Sequence, residues 1–202
     1  FQTFQRNPCK DKVVMVIGAT NANGSMLVKQ AKVNGASKII GFCSESHESI
    51  ALEIGCDEVV CEVDGVDACS VDLIIDTVSN PNAKPDKPSS GVNYEPQVRG
   101  LLKPEGKFVA LNVKPIDQVR MLVADSVGFN VQRKGFDAVM LKVSRDDLDK
   151  LADAFEQGQL TMLIDSVLEF EQDAILGGYE KLMAGENQGK IVVRVSVPPK
   201  RG

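Results

Sequence analysis

KVVMVIGATNANG, Lys12–Gly24, is the stretch whose reading settles the architecture. Lys12–Ile17 is a short, almost unbroken apolar run rich in Val, the composition of a strand buried on both faces of a parallel sheet. Small and turn-forming residues follow at once: Gly18, Ala19, Thr20, Asn21, Ala22, Asn23 and Gly24. Ser25–Val33 then reads as a helix, with Leu27, Val28 and Ala31 on one face and Lys29, Gln30 and Lys32 toward water. A buried strand that hands over to a helix through small residues is the opening unit of an open parallel sheet. Ligands of such sheets lie at the carboxyl ends of the strands.

The alternation continues outward from this unit. Gly35 stops the helix, Lys38–Phe42 (KIIGF) is the second strand, and Ser46–Ile54 is a second helix closed by Gly55. Glu58–Cys61 and Val71–Val78 read as the third and fourth strands, and Lys107–Val113 as the fifth. Glu95–Lys103 is a short helix ended by Pro104, Glu105 and Gly106. Asn80–Tyr94, polar and containing Pro81, Pro85 and Pro88, is a loop longer than compact domains usually carry. A helix is expected over residues 116–126, and extended segments over 127–134 and 138–143. Arg145–Gln157 is a helix with Ser144 as its N-cap and Asp146 and Asp147 in its first turn. Leu160–Glu169 is extended, Gln172–Met183 is the last helix, and Lys190–Val197 (KIVVRVSV) is the last strand. The expected fold is α/β, a doubly wound parallel sheet of Rossmann type with helices on both faces. Residues 1–11 are a lead-in, 12–170 the dinucleotide-binding domain, and 171–202 a closing helix and strand.

Composition narrows the function classes. The chain has 202 residues, with 43% hydrophobic and 25% charged, which is globular and not disordered. Lys plus Arg is 23 and Asp plus Glu is 28, so the net charge is 23 − 28 = −5, a poor match to nucleic acid or an anionic membrane. No apolar run approaches the ~20 residues of a membrane span. His47 is the one histidine, which excludes a His-rich metal site within the chain. Cys9, Cys43, Cys56, Cys61 and Cys69 are odd in number and form no CxxC pair. They read as reduced, partly buried thiols of a soluble intracellular protein, with zinc held by several of them as the minority reading. The chain starts at Phe1 with no signal-peptide pattern after it, so either a leader has been removed or the sequence is part of a longer polypeptide.

A phosphate cradle needs three things of the first turn: a tight bend, an approach to the anion free of side chains, and close packing of helix on sheet. Ala19 is small enough for the first, Asn21 stands where the second asks for glycine, and Gly24 meets the third. The spacing A-x-N-x-x-G is a weakened dinucleotide fingerprint, and a plain strand-to-helix turn is the competing reading. The end of the second strand selects the cofactor. Cys43 stands where an acid would bind the ribose hydroxyls of NAD, while Ser44, Ser46 and His47 are donors for a 2′-phosphate beside the repelling Glu45 and Glu48. The choice stays open and leans to NADP over NAD. The stronger reading of His47 is an exposed residue at a helix start. Asp72 and Asp76 read as strand-end caps, and Tyr94 and Tyr179 have no catalytic setting.

VVMVIGATNANGSMLVKQAKVNGA resembles the nucleotide-binding segment of the medium-chain dehydrogenase/reductase superfamily, nearest its zinc-independent quinone oxidoreductase and enoyl reductase branch. IALEIGCDEVV, VDLIIDTVS, LLKPEGKFVALNV, LADAFEQGQLTMLID and YEKLMAGENQGKIVVRV continue the likeness in order. The resemblance implies an NADPH-dependent hydride transfer to a carbonyl or an activated double bond of a small-molecule substrate. It implies that Ala22, Asn23 and Gly24, in the turn with Ala19 and Asn21, lie at the cofactor diphosphate. Ser44 would be near the adenosine ribose, Thr77 and Val78 near the middle of the cofactor, and Leu111, Asn112 and Val113 near the nicotinamide. The sequence lacks the glycines this pattern has at Asn21 and Ala22, and it has no basic residue near Ser46 to Glu48. The superfamily also carries a GroES-like barrel, which is expected as a partner in cis or in trans. Homodimerisation through a sheet edge at Phe129–Lys134 is a further expectation, and no catalytic residue is assigned. The competing function is a non-catalytic binding or scaffold module that kept the fold and lost the cofactor site.

Overall fold

The computed structural model describes residues 1–83, 91–114, 116, 118–119, 135–139 and 142–195. Six strands form one sheet: β1 (Val13–Ile17), β2 (Lys38–Phe42), β3 (Glu58–Val60), β4 (Val71–Asp76), β5 (Leu102–Ala110) and β6 (Phe136–Ala138). Their order is β3-β2-β1-β4-β5-β6 and every neighbouring pair is parallel. The chain winds one way from β1 to β3 and the other way from β4 to β6. The topological switch point, where sheets of this kind form their ligand crevice, is therefore at the carboxyl ends of β1 and β4. This is the doubly wound Rossmann-type sheet that the apolar runs predict.

The helices are α1 (Gln2–Arg6), α2 (Ala22–Val33), α3 (Glu48–Glu53), α4 (Glu95–Val98), α5 (Arg145–Glu156) and α6 (Gln172–Ala184). β1 shows why its run has no polar alternation. Val14 and Val16 pack into one layer with Leu27, Val28 and Ala31 of α2, Ala51 of α3 and Phe4 of α1. Met15 and Ile17 pack into the other with Val98, Leu101 and Phe108. These four residues of β1 are fully buried, so each contributes about 1.5–3 kcal/mol of apolar burial to the one layer it joins.

Several boundaries move, each for a local reason. α2 begins at Ala22, three residues before the apolar pattern does, because Asn21 caps its first amides. β4 stops at Asp76, whose Oδ1 accepts from the amides of Val78 (3.0 Å) and Ser79 (2.9 Å) and turns the chain. β3 ends at Val60, leaving Cys61 just beyond it. The second helix opens as a 3₁₀ turn, Glu45–His47, before α3. The helix expected over Glu95–Lys103 is α4 plus a 3₁₀ turn, Arg99–Leu101. Pro104, Glu105 and Gly106 lie inside β5, where the register against β4 slips between Val71 and Leu73.

The lead-in contains α1, which is too short to show a helical pattern. Asn7 and Arg6 tie it to Asp137 of β6 at 2.8 and 3.4 Å, and Gln2 reaches Asp147 at 2.8 Å. Ser144 caps α5 as expected, accepting from the Asp147 amide. Apart from Ile116, Gln118, Val119, Val139 and the residues of β6 and 142–143, the segments expected over 116–126, 127–134 and 138–143 lie outside the described residues. The dimer edge at Phe129–Lys134 lies there too.

β7 (Ile164–Glu169) and β8 (Lys190–Arg194) make a separate two-stranded parallel sheet, with α6 as their crossover. Asp165 secures this unit: its carboxylate accepts from Lys181 Nζ of α6 at 2.7 Å and from the Gln188 amide at 2.9 Å. β8 is thus paired, but its surroundings stay bare. α6 has no buried residue, and Phe170, Tyr179, Met183 and Val195 are all more than 60% exposed.

Candidate functional site

The first turn is closed more tightly than the spacing of small residues alone implies. Gly18 has φ +77°, so the left-handed bend falls there and not at Ala19, one residue later, which is buried. A Cβ on Gly18 would lie 2.5 Å from Val78 Cγ1 and 2.7 Å from Thr77 Oγ1. A Cβ on Gly24 would lie 2.0 Å from the Gly18 carbonyl oxygen. Position 24 therefore admits only glycine, and the start of α2 presses directly on the bend. Gly18 is the residue that motif spacing misses. Its one sequence signal is being the first glycine after the buried run.

Asn21 decides what this turn does. Its Oδ1 accepts from the amides of Asn23 (2.9 Å) and Gly24 (2.7 Å), two of the donors that a helix N-terminus offers an anion. Its Nδ2 donates to Thr77 Oγ1 (2.8 Å), which in turn donates to the Ile17 carbonyl (2.7 Å). The side chain is held at both ends, as a cap on α2 and as a strut to the end of β4. The C-terminal unit also reaches this point. Gly189, φ +90°, donates its amide to the Thr20 carbonyl at 2.9 Å and bridges Asn21.

The other expected residues lie along the same carboxyl edge. Ser44 follows β2, is exposed, and has its hydroxyl 3.2 Å from that of Ser46. His47 Nδ1 is 3.1 Å from Thr20 Oγ1, so the turn after β2 is tied to the turn after β1. Burial, with the charges of Cys61 and Glu48 behind it, pushes the Cys43 thiol up to about 11. A neutral group therefore stands where an acid would select NAD. Thr77 and Val78 follow β4. Leu111 donates its amide to the Asp76 carbonyl at 3.0 Å, and Asn112 Nδ2 reaches the Ser79 carbonyl at 3.4 Å. Val113 comes next on the chain and packs at the edge of the second layer. Asn23, Leu111 and Asn112 share a cleft of about 540 Å³ with Met26, Leu27 and Leu148. Its size suits a small ligand ring or tail. Asp72 and Asp76 serve as strand-end caps, Asp72 accepting from the Val13 amide at 2.9 Å. Tyr94 packs edge-on to Phe42.

A model of the zinc-binding dehydrogenase family matches residues 54–193, more than half of the chain. The chain belongs to that family, within the medium-chain dehydrogenase/reductase superfamily of oxidoreductases. The sequence matches no curated protein. Among solved structures, the quinone oxidoreductase of Coxiella burnetii superposes with a TM-score of 0.71 at 18% identity, over 96% of this chain and 56% of that one. A Sorghum bicolor cinnamyl alcohol dehydrogenase gives 0.66 at 22% identity, over 95% and 50%. The alcohol dehydrogenase of Aeropyrum pernix gives 0.68 at 18%, over 95% and 52%. These likenesses establish the fold, and the chain spans about half the length of each of these proteins.

The family name raises the question of zinc. Among the described residues no group of three His, Cys, Asp or Glu side chains can hold a metal ion, and the single histidine is engaged by Thr20. The described residues do not fit a zinc site. They fit a dinucleotide in part. The bend at Gly18 and the glycine at 24 form the cradle, while the Asn21 carboxamide occupies the amides at its centre. Among the described residues no helix is long and apolar enough to cross a membrane.

Proposed function

We propose that this chain is the cofactor-holding half of a medium-chain oxidoreductase and takes a nicotinamide dinucleotide along its carboxyl edge. The observation that carries the reading is the turn at Gly18–Gly24, which brings α2 so close to the bend that position 24 has no space for a Cβ. A plain connection has no need of that approach; backbone amides that must meet an anion do. In this reading the diphosphate displaces the Asn21 side chain and takes the amides of Asn23 and Gly24, beside Ala19 and Ala22. Ser44 holds the adenosine ribose, and Thr77 and Val78 line the middle. The nicotinamide lies by Leu111, Asn112 and Val113. The cofactor, when bound, supplies the hydride, and these residues supply position and exclude water.

NADP is the preferred form, because Cys43 brings no carboxylate to the ribose while Ser44, Ser46 and His47 bring donors. The acceptor is a carbonyl or an activated double bond of quinone or enone type, and the chemistry needs no zinc from this chain. The bare apolar side chains on α6 and around β7–β8 favour a GroES-like barrel as partner, in cis or in trans. Pairing of two copies near Phe129–Lys134 belongs to the same proposal. Titration with NADPH and NADH, read by cofactor fluorescence and thermal shift, tests the reading. NADPH is expected to bind more tightly than NADH, and no response to either at millimolar concentration rejects it.

A second reading has its own observation. The double cap by Asn21, braced by Thr77, makes the free turn self-sufficient, as in a module that keeps the fold for binding or scaffolding without a cofactor.

A further inference from the structure

Three of the five cysteines lie along one face of the sheet: Cys43 and Cys61 just past the carboxyl ends of β2 and β3, and Cys56 just before β3, beside Gly41. All are free thiols; Cys43 and Cys56 are buried and Cys61 is exposed. The β2–β3 register runs Ile40 to Glu58, Gly41 to Val59 and Phe42 to Val60. It continues one step past β3, since the Cys43 amide donates to the Val60 carbonyl at 3.2 Å. That step sets Cys43 beside Cys61. Side chains on paired parallel strands share a face at each register position. Val59 and Cys43 both belong to the layer under α2 and α3, which places Cys61 on that face too.

We infer that Cys43 and Cys61 form an oxidisable dithiol, a modification site in which the exposed Cys61 reacts first and the buried Cys43 resolves it to a disulfide. Lateral neighbours in a sheet are about 4.8 Å apart. That is inside the roughly 4.4–6.8 Å Cα separation that a disulfide spans. Cys56 is the worse partner. Its Sγ fills the space left by the missing side chain of Gly41, where a Cβ would lie 2.7 Å away. Gly41 is two residues back along β2 from Cys43, about 6.6 Å at strand rise. Cys69, the other exposed thiol, sits in a separate turn near Gly100.

The oxidant is a hydroperoxide. The Cys61 thiolate attacks its O–O bond, giving Cys61 sulfenic acid and releasing water or an alcohol. Cys43 then attacks that sulfur as its S–H proton passes to the departing hydroxide of the sulfenic acid, so that the S–S bond forms, the S–O bond breaks and one water leaves. Two thiols are oxidised by one electron each and one peroxide bond is reduced. The product ties β2 to β3 immediately before Ser44. The inference is independent of whether a dinucleotide binds there.

The test treats the reduced full chain with hydrogen peroxide, quenches with an alkylating reagent, and measures intact mass and non-reducing peptide maps. The expected result is a loss of about 2 Da and one crosslinked peptide pair joining Cys43 to Cys61. Cys61→Ser, at an exposed position and with its fold checked by circular dichroism, is expected to form no internal disulfide under the same treatment, and Cys69→Ser to behave as wild type. The inference is overturned by any of three results. One is a disulfide to Cys56 or Cys69, or one that persists in Cys61→Ser. Another is a gain of about 16 or 32 Da without a crosslink. The third is an unchanged mass.

Discussion

Replacing Asn21 with glycine is the perturbation that separates a working cofactor turn from a retired one. In the free chain the Asn21 carboxamide makes three hydrogen bonds, to the amides of Asn23 and Gly24 and to Thr77 Oγ1. Glycine is itself a fair N-cap, so against it an Asn cap is worth only about a few tenths of a kcal/mol. The bond to Thr77 adds about 1 kcal/mol. The sum, about 1–1.5 kcal/mol, stabilises the free chain relative to a glycine variant and is what that variant spares a diphosphate that takes the same amides. Asn21→Gly is therefore expected to lower stability by that amount and to tighten NADPH binding by the same free energy, roughly 5- to 13-fold. The φ of Asn21 is −74°, so no left-handed backbone is involved and the change acts through the side chain alone. Fluorescence titration of NADPH, paired with denaturant unfolding of both proteins, gives the two numbers. If Asn21→Gly folds cooperatively, loses the expected stability and still binds NADPH within a factor of about three of wild type, the capping argument is wrong. If neither protein binds at all, the scaffold reading stands instead.

Three further expectations follow from the same contacts. Gly24→Ala forces a Cβ to within 2.0 Å of the Gly18 carbonyl, so it should cost about 2–4 kcal/mol in urea unfolding; a loss under 0.5 kcal/mol would show that α2 does not press on the bend. Gly189→Ala meets the Leu163 carbonyl at 2.3 Å with φ +90°, and should raise amide exchange in Lys190–Arg194 well above that in β1, whereas equal protection of both would show that the C-terminal unit does not hang on this contact. Asp165 concerns pH. Its burial alone would raise its pKa, but the Gln188 amide and Lys181 outweigh that and hold it below the usual carboxylate value. A depressed folded pKa means stability that is full above the unfolded value of about 4 and lost as pH falls through the lower folded one. Asp165→Asn should therefore be less stable at neutral pH and show a flatter decline below about pH 4 by circular dichroism; an unchanged decline removes Asp165 from the acid response.

The short-range features were legible from residues within a few positions of each other. Val14 and Val16 against Met15 and Ile17 announce a strand buried on both faces, because alternate side chains point to opposite layers. Ser144 with Asp146 and Asp147 marks a helix start, because a hydroxyl three residues before an amide can cap it. Gly24 is called for by the close approach of helix to turn, which follows from the spacing. Small elements escaped. α1 is one turn long, and β5 runs through Pro104, because an irregular edge of a ladder does not need that residue's missing N–H.

The amino-acid sequence by itself determined a parallel α/β sheet and the position of its carboxyl edge, since burial periodicity and turn sterics act over single elements; the family was legible only through the ordered likeness of its segments to a known superfamily. Only the tertiary structure decided the state of that edge. Asn21 is locked by Thr77, which is 56 residues away in sequence; Thr20 is held by His47 and by Gly189; and Cys43 meets Cys61 only through the register of two strands. The physical reason is range: a side-chain hydrogen bond or a thiol pair works over about 3–5 Å in space. Whether two residues come that close depends on how whole strands and helices pack, which no local pattern of residue types encodes.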